Sequence, residues 1–125
     1  MTLWLNEVSA GINRAGTRSQ QDIQGDFTSG AAAKIRREYP AYSVLIYHNR
    51  ESAVCVAKPY IWVHYELPLS DWFATTTGYE VFVLTNGWFT LEGDGGFNNW
   101  SYGGPTGKVV TQGNHVVFGS GATCS

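Results

Sequence analysis

Apolar residues recur at helical spacing in the first third of the chain and at alternate positions in much of the rest, which divides the sequence near residue 40. Leu5, Val8 and Ile12 stand three and four apart and predict a short helix that stops near Gly16. The stretch from Thr17 to Gly30 is polar and reads as loop or irregular helix. After it, Ser29 can cap a second helix through Ala31, Ala32, Ala33, Lys34, Ile35, Arg36 and Arg37. That helix ends at Tyr39, because the residue before Pro40 is pushed out of the helical region. From Tyr42 onward the period is two, and β-branched and aromatic residues dominate, so a meander of antiparallel strands follows. Strands are expected at 42–48 and 53–58 around a turn at 48–52, then at 60–67. A hairpin at 79–84 and 88–91 would turn on Thr85-Asn86-Gly87, with Asn-Gly supplying positive φ. Short strands at 97–102 and 115–118 complete the reading, joined by glycine-rich loops. Nine of the 15 glycines fall between Gly93 and Gly121, so order there depends on turns or a ligand.

The pattern predicts an α+β domain spanning 1–125, with a helical part at 1–39 and antiparallel sheet and loops at 42–125. Two N-terminal helices pack on one face of a twisted sheet of about five strands, and the other face forms the site. At 125 residues and 43% hydrophobic, the chain supports one core and is too short for two domains. Nothing approaches the roughly 18 consecutive apolar residues of a membrane span. No basic and apolar leader pattern follows Met1, so the expected location is cytoplasmic, with release as a defence protein the alternative. The net charge of −2 is unevenly spread: six basic residues against four acidic in the first 50, two against six afterwards. A pI near 5.8 argues against DNA and against sequence-independent nucleic-acid binding, so any RNA contact is local. Cys55 and Cys124 make no disulfide framework; they read as two reduced thiols or as one bridge pinning the tail.

No phosphate loop, Cys-x-x-Cys pair, His-Glu-x-x-His helix or Gly-x-Ser-x-Gly elbow is present. Alternation in the third strand puts Ile61, Val63, Tyr65 and Leu67 on a core face and Tyr60, Trp62, His64 and Glu66 on a working face. A phenol, an imidazole and a carboxylate in steps of roughly 7 Å are what a metal-independent ribonuclease uses: a base for the 2′-hydroxyl and an acid for the leaving 5′-oxygen. The same spacing also fits a solvated sheet face. In Gly93-Asp94-Gly95-Gly96 the aspartate either caps its own turn or is left as acid, base or ligand. Asn98, Asn99 and Trp100 add amides and a ring for a phosphate or an unstacked base. Trp62, Trp88 and Trp100 would serve equally as sugar platforms or as core. Lys108, the one cation after Lys58, is a solvated side chain or a stabiliser of a phosphorane. His48 and His115 are open between ligand, acid/base and hydrogen-bonded strand residue.

The segments Tyr39-Pro40-Ala41-Tyr42-Ser43-Val44-Leu45-Ile46, Lys58 to Pro68 and Gly93-Asp94-Gly95-Gly96-Phe97-Asn98-Asn99-Trp100-Ser101-Tyr102 resemble the ribotoxin-like proteins of basidiomycete mushrooms, the ageritin type. The glycine-aspartate block also resembles bacterial YvgO stress-response and antifungal proteins. The first resemblance covers about residues 30–120. It implies an endonuclease that cuts the sarcin-ricin loop of large-subunit ribosomal RNA, inhibits translation and depends on a divalent cation, Mg or Zn. It also implies that Tyr60 orients the scissile phosphate, that Asp94 is base or metal ligand, and that Lys108 stabilises the transition state. Trp62, His64, Glu66, Asn98 and Trp100 then bind substrate, and the protein acts as a monomer on the ribosome. The alternative is a non-enzymatic antifungal or stress protein, or a carbohydrate-binding lectin.

Overall fold

The computed structural model describes residues 1–14, 20–48, 52–68, 76–92 and 100–124. Helix α1 spans Thr2–Arg14 and α2 spans Gln20–Glu38. The second helix begins ten residues before the run that Ser29 was expected to cap. Ile23, Phe27, Ala31 and Ile35 repeat every four residues and are all buried, so one apolar stripe crosses the supposed loop. The hydroxyls of Thr28 and Ser29 donate to the Gly25 carbonyl within the helix, so Ser29 is an interior residue and not a cap.

Among the described residues eight strands follow: β1 Ser43–Tyr47, β2 Ser52–Val56, β3 Tyr60–Pro68, β4 Thr76–Leu84, β5 Gly87–Leu91, β6 Trp100–Gly103, β7 Val109–Gln112 and β8 His115–Phe118. They form two antiparallel four-stranded sheets, ordered β3-β4-β1-β6 and β2-β5-β8-β7, where one sheet of about five strands was expected. The α+β class holds, with three layers: helices, first sheet, second sheet. Strand β1 explains why one sheet was not enough. All five of its residues are buried; Val44 and Ile46 meet the helices, Leu45 and Tyr47 the second sheet. A strand buried on both faces needs a cover on each.

The hairpin expected around Thr85-Asn86-Gly87 is a crossing between sheets, and the strands expected on either side of the turn at 48–52 likewise belong to different sheets. Strand β1 pairs with β4 and β6, and β2 pairs with β5. At Thr85-Asn86-Gly87 the chain leaves the first sheet for the second, and Gly87 is not in the left-handed region. A Cβ at Gly87 would lie 2.7 Å from the Cys55 carbonyl oxygen, so glycine there permits close backbone approach. Among the described residues the true tight hairpin joins β7 and β8 through Gly113 and Asn114, with Gly113 at φ 59°. Cys55 and Cys124 are bridged, which selects the pinned tail over the reduced thiols. No described helix is long and apolar enough to cross a membrane.

Candidate functional site

Strand β3 ends the first sheet and pairs only with β4. Its two faces separate as the alternation predicts toward its C-terminal end, but Ile61, expected in the core, is 42% exposed beside an open cleft with Tyr39 and Tyr42, and Val63 is only half-buried. Tyr65 and Leu67 are buried under the helices, while Tyr60, Trp62, His64 and Glu66 are exposed on the side that the second sheet covers farther along. The register then brings in β4: His64 lies opposite Glu80, Glu66 opposite Gly78 and Trp62 opposite Phe82.

His64 is the centre of the cluster. Its Nδ1 donates to Glu80 Oε1 at 2.6 Å, and its Nε2 lies 3.3 Å from Glu66 Oε2. The second oxygen of Glu80 accepts from Trp62 Nε1 at 2.6 Å, so Glu80 clamps both ring systems. Glu66 is held more loosely, with Thr76 Oγ1 donating to Oε1 at 3.5 Å. The hydrogen bond to Glu80 raises the His64 pKa above 6.5; desolvation opposes it, and the charges of Glu80 and Glu66 add to it. The imidazolium is thereby favoured on an open surface.

Gly78 is the floor of this group. A Cβ there would lie 2.6 Å from Glu66 Oε2 and 3.0 Å from His64 Cε1, so only glycine lets both groups lie over β4. On the other side of β4, His48 Nδ1 donates to the Gly78 carbonyl at 2.5 Å. That bond leaves Nε2 of the neutral ring as an acceptor. Tyr47, His48, His64, Glu66, Gly78 and Glu80, with Thr76 and Thr77, line one open depression of about 550 Å³. Burial, and then the Glu80 charge, push the Tyr47 phenol up to about 12, so it stays protonated beside the carboxylates.

The remaining expected residues lie elsewhere. Tyr60 sits at the far end of β3 beside an aromatic cleft with Tyr39 and Tyr42. Lys108 lines a separate depression with Ser43, Thr85, Asn86 and Ser120. Tyr60 faces Leu84, and Leu84 faces Ser43, so Tyr60 and Lys108 share the end of the first sheet away from His64. Trp100 is partly buried, with ring centroids 5.5 Å from Phe89 and 5.1 Å from Tyr102. Asp94 and Asn98 lie outside the described residues. The cluster therefore joins Trp62, His64 and Glu66 to Glu80 and His48. Glu80 carries no sequence signal of its own, since only the β3–β4 register sets it opposite His64.

The divalent cation implied by the resemblance would need oxygen and imidazole donors turned to a common point. Among the described residues no group of three or more His, Cys, Asp or Glu side chains is so arranged. The two carboxylates of the cluster point at the His64 ring instead. Compared with known proteins, the chain matches no family model, no curated protein and no solved structure.

Proposed function

We propose that the protein is an endoribonuclease of the ribotoxin-like kind, working as a monomer on large-subunit ribosomal RNA at the depression beside β3. The observation that carries the reading is the His64 imidazole set between two carboxylates on an open floor that also holds His48. Glu66, the freer carboxylate, takes the proton of a 2′-hydroxyl as its oxygen attacks the adjacent phosphorus. The P–O5′ bond breaks, and His48 in its protonated form delivers a proton to the leaving 5′-oxygen. The products are a 2′,3′-cyclic phosphate and a 5′-hydroxyl. His64, kept cationic by Glu80, lies against the charge that builds on the phosphorane. Glu80 is a positioning residue because its two oxygens hold His64 and Trp62. The Cys55–Cys124 bridge suits a chain released into an oxidising environment, as a defence toxin would be.

The test is incubation of the pure protein with intact eukaryotic ribosomes, with and without EDTA, followed by a denaturing gel. A single short fragment from the 3′ end of the large-subunit RNA supports the reading, and its persistence in EDTA supports acid-base chemistry without a cation. Intact RNA overturns it. A sugar-binding reading has one specific observation in its favour: the Trp62 indole is 54% exposed beside carboxylate acceptors. Binding on a glycan array, lost in Trp62→Leu, would establish that reading in place of the nuclease.

A further inference from the structure

A cavity of about 520 Å³ lies at the end of the first sheet away from His64, where β1 begins and β4 ends. Three stretches of chain close around it: the crossing at Thr85 and Asn86, the turn from Pro105 to Lys108, and the start of the tail at Gly119 and Ser120. Its volume falls within the several hundred cubic ångströms of small-molecule sites.

The walls are tied to one another. The Lys108 N–H donates to the Pro105 carbonyl at 3.0 Å, and the Gly119 N–H donates to the Lys108 carbonyl at 2.7 Å, so the backbone that carries the ammonium is held from both sides. Ser120 donates twice to Asn86 Oδ1, at 2.9 Å through its N–H and at 3.0 Å through its hydroxyl. Gly119, at φ 59°, lies so close to the crossing that a Cβ would run into Asn86 Oδ1 and the Thr85 carbonyl oxygen. Turn, tail and crossing thus form one preorganised wall, which lowers the entropy lost when a ligand binds.

What these bonds leave over is mostly donor capacity. Asn86 Oδ1 already accepts twice, which leaves the amide N–H groups of the same side chain without a partner among the described residues. Ser43 lines the cavity at only 2% exposure, and its hydroxyl makes no hydrogen bond among the described residues. Buried hydroxyls are ordinarily bonded, because an unpaired one costs stability. Glycine at position 104 gives that hydroxyl its room: a Cβ there would run into Ser43 Oγ and lie 2.6 Å from Val109 Cγ2. Lys108 is exposed and pairs with no carboxylate among the described residues, and no acidic side chain lines the cavity.

We infer that this cavity binds a small hydroxylated anion the size of a single sugar, with its carboxylate or phosphate on Lys108 and Asn86 and its hydroxyls on Ser43 and Thr85. An ammonium among neutral donors selects for negative charge, since a hydrogen bond to an ionised group is the stronger kind. Serine and threonine hydroxyls both donate and accept, as sugar hydroxyls do, so the two sets can satisfy each other. Leu84 and Pro105 add carbon surface for the C–H groups of such a ligand. No aromatic ring lines the cavity, so a nucleobase would find nothing to stack on. The site is separate from the His64 cluster and does not depend on the nuclease reading.

The probes are glucuronate and glucose 6-phosphate, which carry the two charged groups on one sugar body, with glucose and inorganic phosphate as controls. Each is titrated into the whole protein by isothermal titration calorimetry. At least one acid should bind with a Kd below about 1 mM and at least 10-fold more tightly than either control; which acid binds tells carboxylate from phosphate. Lys108→Gln should weaken that binding at least 10-fold. Ser43→Ala should weaken it several-fold at an unchanged melting temperature, because the hydroxyl it removes holds nothing in the free protein. Should Ser43→Ala melt below the parent, Thr85→Val takes its place, with the same weakening expected. Absence of binding by both acids at about 10 mM overturns the site. Glucose binding as tightly as the acids overturns the anion, and inorganic phosphate binding as tightly overturns the sugar-sized body. Acid binding unchanged in Lys108→Gln and in the folded hydroxyl variant puts the ligand elsewhere and overturns the assignment.

Discussion

Gly78 shows how much of the cluster depends on a missing side chain. Its absent Cβ is what allows the Glu66 carboxylate and the His64 ring to lie over β4. Both crowded atoms are near the ends of flexible side chains, so Gly78→Ala should move the site without breaking the sheet. We expect urea unfolding to shift by less than about 1 kcal/mol while RNA cleavage falls at least 10-fold, since displaced acid-base groups lose most of their effect. A large loss of stability with cleavage intact per folded molecule would make Gly78 a purely structural residue. Protonation of His64 is the second measure at this scale. Its pKa is raised above 6.5 chiefly by the Glu80 hydrogen bond, so the small stabilisation it provides is full below pH 6.5 and is lost as pH rises through the folded value. With the side chain 47% exposed, solvent keeps that contribution small. Proton NMR titration should place His64 above 6.5 in the parent and return it toward 6.5 in Glu80→Gln. The alkaline limb of the cleavage profile should move down with it. A titration unchanged by Glu80→Gln would mean that the clamp does not form in solution.

At the scale of elements, what was legible followed from period and what was not followed from partners. The exposed face of β3 could be read because alternation alone decides it, and Trp62, His64 and Glu66 followed from it; Ile61 was misplaced in the core, because alternation does not show where the covering layer ends. The first ten residues of α2 could not, because Gly25, Gly30 and the back-bonded Thr28 and Ser29 dilute the stripe made by Ile23 and Phe27. Pairing between distant strands was also out of reach: β1 pairs with β4 and β2 with β5 across intervening strands, whereas the connections after β1 and after β4 look like local turns in the sequence. Phe27 tests the longer helix directly. It is fully buried, stacked on Tyr65 at 5.3 Å and tilted against Tyr79 at 5.1 Å, where a loop residue would be solvated. Phe27→Ala should cost about 4 kcal/mol through lost burial and the cavity left between helix and sheet. A urea midpoint close to that of the parent would return the segment to irregular structure.

At the scale of the whole molecule the second sheet separates stability from the site. Val54 and Val56 pack inward against the first sheet, so alternation turns Cys55 to the outer face of β2. Cys55 is nevertheless buried, because the C-terminal tail returns across that face and Cys124 closes the bridge. Ser120 anchors the same tail, donating through its backbone N–H and its hydroxyl to Asn86 Oδ1 at the crossing between the sheets. A cross-link between positions 69 residues apart removes much of the entropy of the unfolded chain, about 4 kcal/mol on a loop-closure estimate. Reduction should therefore lower the unfolding free energy by about that amount. The bridge lies on the far side of the second sheet from the acid-base cluster, so the reduced protein, while still folded, should keep the His64 titration and the cleavage rate of the oxidised form. Loss of both on reduction, with the sheets intact by circular dichroism, would mean that the tail reaches across the layers to order the site. Loss of stability alone would place the bridge wholly in the scaffold and leave β3 and β4 to hold the chemistry.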